Sequence, residues 1–228
     1  MRINKFISST GLCSRKQADR LISAERVTVN GEIPKHHYIV ASGDVVLVNG
    51  TPLPSKKRHV YLALNKPVGI VCTNARTVKN NIADYMNYPE RIFAIGRLDK
   101  DSEGLLLLTN DGEITHEILH SEHEHEKEYI VEVDRPITDE FIDKMEQGVE
   151  ILDTVTKPCK VKRIDHTTFR IILTQGLNRQ IRRMCKQLNY RVVRLQRIRI
   201  MNIRLDDLEY GMWRDLTDDE VSELKAQH

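Results

Sequence analysis

Four consecutive leucines, Leu105–Leu108, constrain the fold of this 228-residue chain more than any other feature. A short apolar run without polar alternation indicates a strand that is buried on both faces, and such a strand lies inside a sheet. A second apolar run, Arg91–Ile95, precedes it, and the charged segment Gly96–Gly104 separates the two. The pattern therefore predicts two buried strands joined by a polar loop.

The first 58 residues carry the pattern of a small α+β module. Ser14–Gln17 fits a capping box, in which a serine hydroxyl and a glutamine side chain satisfy the free amides of a helix start. Ala18, Leu21 and Ile22 then give the following helix an apolar stripe. This stripe predicts that the helix packs against a core.

Short strands and a linker complete this module. Val27–Val29 and Asp44–Val48 each precede an Asn-Gly pair, which favours a tight turn because both residues tolerate positive φ. The segment Thr51–Arg58 is polar and proline-containing, which predicts a linker. We therefore expect two domains, residues 1–58 and residues 59–228.

The second domain alternates predicted strands with predicted helices. Apolar, β-branched runs predict strands at Tyr61–Leu64, Tyr129–Val133 and Phe169–Leu173. Asp139–Gln147 is a predicted helix that Gly148 ends. We expect an α+β fold whose sheet is mixed and mainly antiparallel.

The formal net charge of +2 conceals two strongly basic segments. Residues 1–58 carry a net charge of +6 and residues 177–204 carry +9. Residues 59–176 and 205–228 carry −7 and −6. Because concentrated positive charge attracts polyanions, a nucleic acid is the favoured partner.

The second basic segment contains a predicted helix from about Asn178 to Leu188. Its apolar face consists of Ile181, Met184, Cys185 and Leu188. Arg182 lies at the border of this face, whereas Arg183 points nearly opposite. We therefore expect Arg182 to reach a partly buried carboxylate and Arg183 to meet a phosphate.

The loop Gly96–Gly104 offers that carboxylate. Asp99 follows a buried strand and lies between Arg97 and Lys100, and neighbouring cations favour the ionised form of a carboxyl group. A rigid, ionised carboxylate suits a nucleophile or a general base. From spacing alone, an ordinary solvated loop is the favoured alternative.

Residues 2–50 resemble an S4 RNA-binding domain. The resemblance rests on Ser14–Ile22, which reads SRKQADRLI, and on Val27–Gly31, which reads VTVNG. It implies contact with RNA through the two helices of the module. The residues assigned to this contact are Arg2, Lys5, Arg15, Lys16 and Arg20.

The second domain resembles the RsuA/RluA-type pseudouridine synthases. The longest shared signature is Gly96–Gly112, which reads GRLDKDSEGLLLLTNDG. Three further segments support it, namely Leu64–Gly69 (LNKPVG), His125–Tyr129 (HEKEY) and Gly176–Met184 (GLNRQIRRM). The resemblance covers nearly the whole chain and implies that it isomerises uridine to pseudouridine in structured RNA.

The resemblance also implies roles for individual residues. Asp99 would start cleavage of the N-glycosidic bond, and Arg182 would pair with it. Tyr129 would stack on the base and assist the final proton removal, and Arg97 would help to displace the target nucleotide. The other predicted RNA contacts are Leu98, Lys100, Arg179, Gln180, Ile181 and Arg183.

The expected partner is large-subunit ribosomal RNA, with a tRNA as a second candidate, for a monomer in the cytoplasm. No cofactor and no metal are expected, because the isomerisation is redox-neutral and uses a protein carboxylate. No apolar run approaches the roughly 18 residues of a membrane helix. Cys13, Cys72, Cys159 and Cys185 are far apart, which predicts reduced thiols.

Two other hypotheses stay open on the sequence. A non-catalytic RNA-binding or ribosome-assembly protein would carry the same basic segments. His116–His120 matches the HExxH pattern of zinc hydrolases letter for letter. Because this match directly follows the turn of a much longer signature, the zinc hypothesis is the weakest of the three.

Overall fold

The computed structural model describes residues 1–54, 58–119 and 125–226. The chain forms two compact units. The first consists of Met1–Val60 together with residues 89–91 and 110–112, and the second contains the remaining residues from Tyr61 onward. The predicted domain boundary after residue 58 stays a prediction.

The first unit contains two helices and three short strands. These are α1 (Ile3–Ser9), α2 (Arg15–Ser23), β1 (Val27–Val29), β2 (Val46–Val48) and β3 (Thr51–Pro52). The predicted capping box is confirmed, because the Ser14 hydroxyl accepts from the Gln17 amide at 3.2 Å and the Gln17 side chain accepts from the Ser14 amide at 2.9 Å. The apolar stripe of α2 is confirmed too, since Ala18 and Ile22 are buried in the core of this unit.

The three strands form an antiparallel sheet in the order β1-β2-β3. Thr51 and Pro52 pair with β2, so the linker predicted to begin at Thr51 is wrong at its start. The reason is the tight turn at Asn49-Gly50, where both residues have positive φ and the chain folds back on β2.

The second unit contains five helices and eleven strands among the described residues. The helices are α3 (Ile82–Met86), α4 (Gly112–Leu119), α5 (Asp139–Gln147), α6 (Gln180–Gln187) and α7 (Asp218–Ala226). The strands are β4 (Tyr61–Lys66), β5 (Phe93–Ile95), β6 (Glu103–Thr109), β7 (Lys127–Val133), β8 (Glu150–Ile151), β9 (Thr154–Val155), β10 (Lys160–Arg163), β11 (Thr168–Leu173), β12 (Val192–Ile200), β13 (Ile203–Arg204) and β14 (Trp213–Asp215). Most predicted elements are present with shifted ends.

Nine strands form one sheet with the central order β10-β11-β7-β12-β6-β4-β14. β5 pairs with β6 and β13 pairs with β12. The pair β6–β12 is parallel and the other described pairs are antiparallel, which confirms a mixed, mainly antiparallel sheet. Each residue of β6 is buried, as the leucine run predicted.

Helices pack on this sheet around two apolar cores. One core joins α5 and α6 to β7 and β11, and the buried Ile181, Met184 and Cys185 confirm the predicted apolar face of α6. The other core includes Leu105 and Leu107 of β6 and Leu224 of α7.

The last helix, α7, has three acidic residues in its first turn. Leu224 is fully buried, so one side of α7 belongs to the second core. No helix in the described part of the chain combines the length and the apolar character needed to span a membrane.

Candidate active site

The loop between β5 and β6 carries the candidate catalytic carboxylate. Leu98 points inward and is 7% exposed, whereas the Asp99 side chain is 30% exposed. The Ser102 amide donates to the Asp99 carbonyl at 3.1 Å, and the Gly69 amide donates to the Lys100 carbonyl at 2.7 Å. The loop is therefore tied internally and to the turn after β4, while the carboxylate stays accessible.

Arg179 is the cation that contacts Asp99. Its Nη1 lies 3.6 Å from Asp99 Oδ2, and both of its terminal nitrogens donate to the Asp101 carboxylate at 2.9 Å. These hydrogen bonds from Arg179 hold the pKa of Asp101 below its usual value. In turn, the hydrogen bonds to Asp101, with smaller contributions from the charges of Asp101 and Asp99, raise the pKa of Arg179.

Arg182 belongs to the same cluster but does not contact Asp99 directly. It donates to the Asp101 carbonyl at 2.7 Å and to Ser102 Oγ at 3.2 Å, and its Nε lies 3.5 Å from Asp101 Oδ2. Burial lowers the pKa of Arg182, and the neighbouring Asp101 opposes that shift. The predicted direct ion pair between Arg182 and Asp99 is therefore wrong.

The start of α6 differs from the prediction at the residue that contacts Asp99. Arg179 is the N-cap residue of α6 and has a left-handed conformation (φ 50°, ψ 36°), which non-glycine residues seldom adopt. The helix was predicted to begin at about Asn178, but it begins at Gln180, so Arg179 does not take the position that a helical wheel gives it.

Tyr129 lies on β7 and is half-buried against the first core. It stands opposite Ile171 of β11 and opposite Arg197 of β12. Residues directly opposite each other in antiparallel strands project to the same face of a sheet. Tyr129 and Arg197 therefore share a face of the sheet. Arg197 also pairs with Gly104, the last residue of the loop that carries Asp99.

The remaining predicted contacts around this site divide by exposure. Arg97 and Lys100 are exposed, and Arg183 is half-buried with its Nε donating to the Asn178 carbonyl. Three residues predicted to contact RNA, namely Leu98, Gln180 and Ile181, are no more than 7% exposed. Side-chain contact with RNA does not fit these three. The periodicity of α6 turns Gln180 and Ile181 toward the protein interior, and Leu98 points inward from the loop between β5 and β6.

In the first unit, a shallow cavity of about 340 Å³ collects three of the predicted RNA contacts. Arg2, Lys5 and Arg15 line it together with Met1 and Asn4. The two other predicted residues, Lys16 and Arg20, are exposed on α2. Three of the basic residues of the segment 1–58 thus lie together around one cavity.

Sequence reasoning missed Asp101 and Arg197 as members of this site. Asp101 lies in the recognised loop, but the letters alone do not show which carboxylate binds Arg179. Arg197 belongs to the +9 segment, and only the sheet reveals that it is 1% exposed. A charged residue in an otherwise alternating strand was the available signal for it.

The zinc hypothesis receives no structural test. His120 and the side chain of His116 lie outside the described part of the chain. Among the residues that are described, no group of three or more histidines, cysteines or carboxylates could hold a metal.

Comparison with known proteins was made by family and by fold. The family model for RNA pseudouridylate synthase matches residues 60–187, and the model for the S4 domain matches residues 1–46. A solved structure described as a pseudouridylate synthase superposes with a TM-score of 0.73 at 31% identity, covering 98% of this chain and 99% of the other.

Curated relatives match along almost the full chain. The dual-specificity RNA pseudouridine synthase RluF of Salmonella typhi is 53% identical over 98% of this chain and 78% of its own length. The RluF of Escherichia coli K12 is 52% identical with the same coverage. Ribosomal large subunit pseudouridine synthase B of Bacillus subtilis is 34% identical over 99% of this chain and 96% of its own length.

Proposed function

Because this chain belongs to the RNA pseudouridylate synthase family, we propose that Asp99 is the carboxylate with which it starts the conversion of uridine to pseudouridine. The chain is an RNA pseudouridine synthase with an N-terminal S4 domain. One observation carries the assignment of Asp99: an accessible carboxylate on a tethered loop, with the Arg179 guanidinium 3.6 Å away.

The reaction is an isomerisation in which the atoms balance without a co-reactant. The bond between N1 and C1′ breaks, the uracil turns, and a bond forms between C5 and C1′. The proton on C5 is then removed and N1 gains a proton. Asp99 starts this sequence in one of two ways: it attacks C1′ and is displaced again when C5 bonds to C1′, or it takes a proton from the sugar that is returned when that bond forms. Both routes require the ionised carboxylate.

The residues around Asp99 hold and complete the site. Arg179 fixes the carboxylate from one side, while Arg182 acts as a positioning residue because it binds Asp101 and Ser102 of the same loop. Tyr129 stacks on the uracil and assists the removal of the C5 proton.

The target nucleotide has to leave its stack before C1′ becomes accessible. Arg97 is exposed in the same loop as Asp99, where it can occupy the space that the extruded nucleotide leaves. Lys100, Arg179 and Arg183 then contact the phosphates around the target.

Residues 1–58 dock the RNA and residues 59–228 carry out the chemistry. The basic cavity lined by Arg2, Lys5 and Arg15 supports docking through phosphate contacts. We assign large-subunit ribosomal RNA as the substrate and a tRNA as a second substrate. The support is the 53% identity to proteins named dual-specificity RNA pseudouridine synthases.

We also place the enzyme in the cytoplasm as a monomer. The cysteines support this location, because none of the four forms a disulfide, and free thiols persist in reducing compartments.

The substitution Asp99→Asn tests the assignment. The variant keeps the volume of the side chain but removes its charge, so pseudouridine formation should fall below detection while RNA affinity changes less than about threefold. The assay measures pseudouridine in ribosomal RNA from a strain that lacks the orthologous enzyme and, separately, in a tRNA transcript.

Asp139→Asn is the matched control, because Asp139 is a 94% exposed carboxylate on α5 that pairs with Arg163. It should retain wild-type activity. If Asp99→Asn remains active, Asp99 is not the initiating carboxylate. If the wild-type protein binds both RNAs and modifies neither, the substrate assignment is wrong.

A further inference from the structure

Arg197 occupies the strand that lies between the two halves of the proposed active site. On one side, β12 runs parallel to β6, and Arg197 stands opposite Gly104, where the loop of Asp99 enters β6. On the other side, β12 runs antiparallel to β7, and Arg197 stands opposite Tyr129. One residue of the central sheet therefore adjoins both the catalytic loop and the strand of the candidate catalytic tyrosine.

The side chain of Arg197 joins the two ends of that loop. Its Nη2 donates to the carbonyl of Gly96 at 2.7 Å, and its Nε donates to the carbonyl of Leu105 at 2.7 Å. Gly96 is the residue that follows β5, and Leu105 is the third residue of β6. The planar guanidinium thus fixes the distance between the entrance and the exit of the loop.

The charge of Arg197 is unusual for a residue that is 1% exposed. Among the described residues no carboxylate lies within ion-pair distance of its guanidinium, which donates instead to the carbonyl groups of Gly96 and Leu105. Burying a cation without a counter-ion is costly, and an apolar side chain would be tolerated more easily. A residue kept only for stability has no need of this charge.

The main chain of Arg197 also packs closely against the end of the loop, at Gly104. A Cβ on Gly104 would lie 2.3 Å from the carbonyl oxygen of Arg197 and 2.8 Å from its nitrogen. Gly104 also has a φ of +97°. The loop therefore leaves the active site through a turn that is pressed against the residue whose guanidinium spans the loop.

Two lysines near this position respond to the same charge. Burial lowers the pKa of Lys66, and the charge of Arg197 contributes to the shift. Burial also lowers the pKa of Lys127 to about 8, again with a contribution from Arg197. The positive charge of Arg197 thus lowers the pKa of a lysine on β4 and of a lysine on β7, which lie on opposite sides of β12 in the sheet.

We propose that Arg197 is a positioning residue for the isomerisation, which holds the ends of the Asp99 loop at a fixed separation and in register with Tyr129. This inference rests on the proposed function of Asp99. Arg197 does not touch the substrate; it acts by fixing the carboxylate relative to the base that Tyr129 contacts. A displacement of about 1 Å between reacting groups can reduce a rate by about 100-fold.

The test compares Arg197→Lys and Arg197→Met with the wild-type enzyme under single-turnover conditions at saturating RNA. Arg197→Met should lose about 100-fold in rate with an unchanged Kd for RNA. Lysine keeps the charge but cannot bridge two carbonyls, so Arg197→Lys should also be slow. Arg163→Met is the control, because Arg163 is a 40% exposed, ion-paired arginine on β10 of the same sheet, and its rate should stay at the wild-type value.

A second measurement separates positioning from folding. Guanidinium chloride at low millimolar concentration should restore part of the rate of Arg197→Ala, compared with equal concentrations of NaCl. It should restore nothing to Asp99→Asn. The rates are expressed per folded molecule, with the folded fraction taken from circular dichroism, so that a partly unfolded variant still gives a result.

The outcomes distinguish this inference from the function on which it rests. If Asp99→Asn is inactive but folded Arg197→Met and Arg197→Lys react at the wild-type rate, the positioning role is refuted and the proposed function stands. If Arg197→Ala is slow and guanidinium fails to rescue it, the positioning role is also refuted. If Asp99→Asn retains its activity, the proposed function itself fails, whatever Arg197 does.

Discussion

Gly104 is the position at which a single methyl group should be most damaging. It joins the catalytic loop to β6 with a φ of +97°, and an added Cβ would lie 2.3 Å from the carbonyl oxygen of Arg197. Ordinary van der Waals contact begins near 3.4 Å, so Gly104→Ala requires β6 and β12 to separate locally by about 1.1 Å. Such a movement strains the parallel pairing of Gly104 with Arg197 and the hydrogen bond from Arg197 to Leu105.

Two contributions set the size of the effect. A left-handed backbone costs a non-glycine residue about 1–2 kcal/mol. Loss or distortion of two or three buried hydrogen bonds adds about 1 kcal/mol each. The expected loss of unfolding free energy is therefore about 3–5 kcal/mol, which lowers Tm by about 10 °C in a unit of this size.

The assay is thermal unfolding by circular dichroism, with two alanine variants as controls. Gly69→Ala has nearly the same φ, +96°, but no atom within 4 Å of the new Cβ, so it measures backbone strain alone. Gly176→Ala has neither a positive φ nor a neighbour within 4 Å and should be neutral. If the unfolding free energies of Gly104→Ala and Gly69→Ala differ by less than about 0.5 kcal/mol, the close approach of β6 and β12 does not contribute to the destabilisation, and the reasoning is wrong.

Two further predictions concern stability. The pKa of Lys127 falls from 10.5 to about 8 in the folded protein, chiefly because of burial, so between pH 8 and 10.5 the unfolded chain binds more protons and stability rises with pH. Lys127→Met should abolish this rise of the unfolding free energy with pH, measured by urea titration, and should be about 1–2 kcal/mol more stable than wild type at pH 7. If the unfolding free energies of the variant and the wild type rise equally with pH, this prediction is wrong. Ser14→Ala removes the acceptor of the Gln17 amide, which should cost about 1 kcal/mol and speed hydrogen exchange at that amide, whereas an unchanged exchange rate would show that the cap is not stabilising.

Local patterns determined much of the fold from sequence. The capping box at Ser14, the apolar face of α6 and the buried leucines of β6 depend on neighbours within a few residues, and the structure confirms each of them. Helix periodicity and strand burial are properties of short segments, so the letters are sufficient to predict them. The same holds for the charged loop of Asp99, whose position between two apolar strands is visible in the sequence.

The reaction class was also predictable from the sequence, because its long signature resembles that of one enzyme family, and the family comparison confirms this prediction. The sequence did not determine how the charged residues of the site pair. Helical spacing selected Arg182 as the partner of Asp99, but Arg179, which precedes the first residue of α6, contacts the carboxylate instead.

Only the tertiary structure decided these pairings, because the partners are remote in sequence. Arg179 and Asp101 are 78 residues apart, and Arg197 and Gly96 are 101 residues apart. The register of β12 between β6 and β7 brings Arg197 beneath the loop, and no local pattern encodes that register. The sequence by itself determined which chemical groups are present and which segments are buried; strand pairing, which forms between distant segments, decided which of those groups meet.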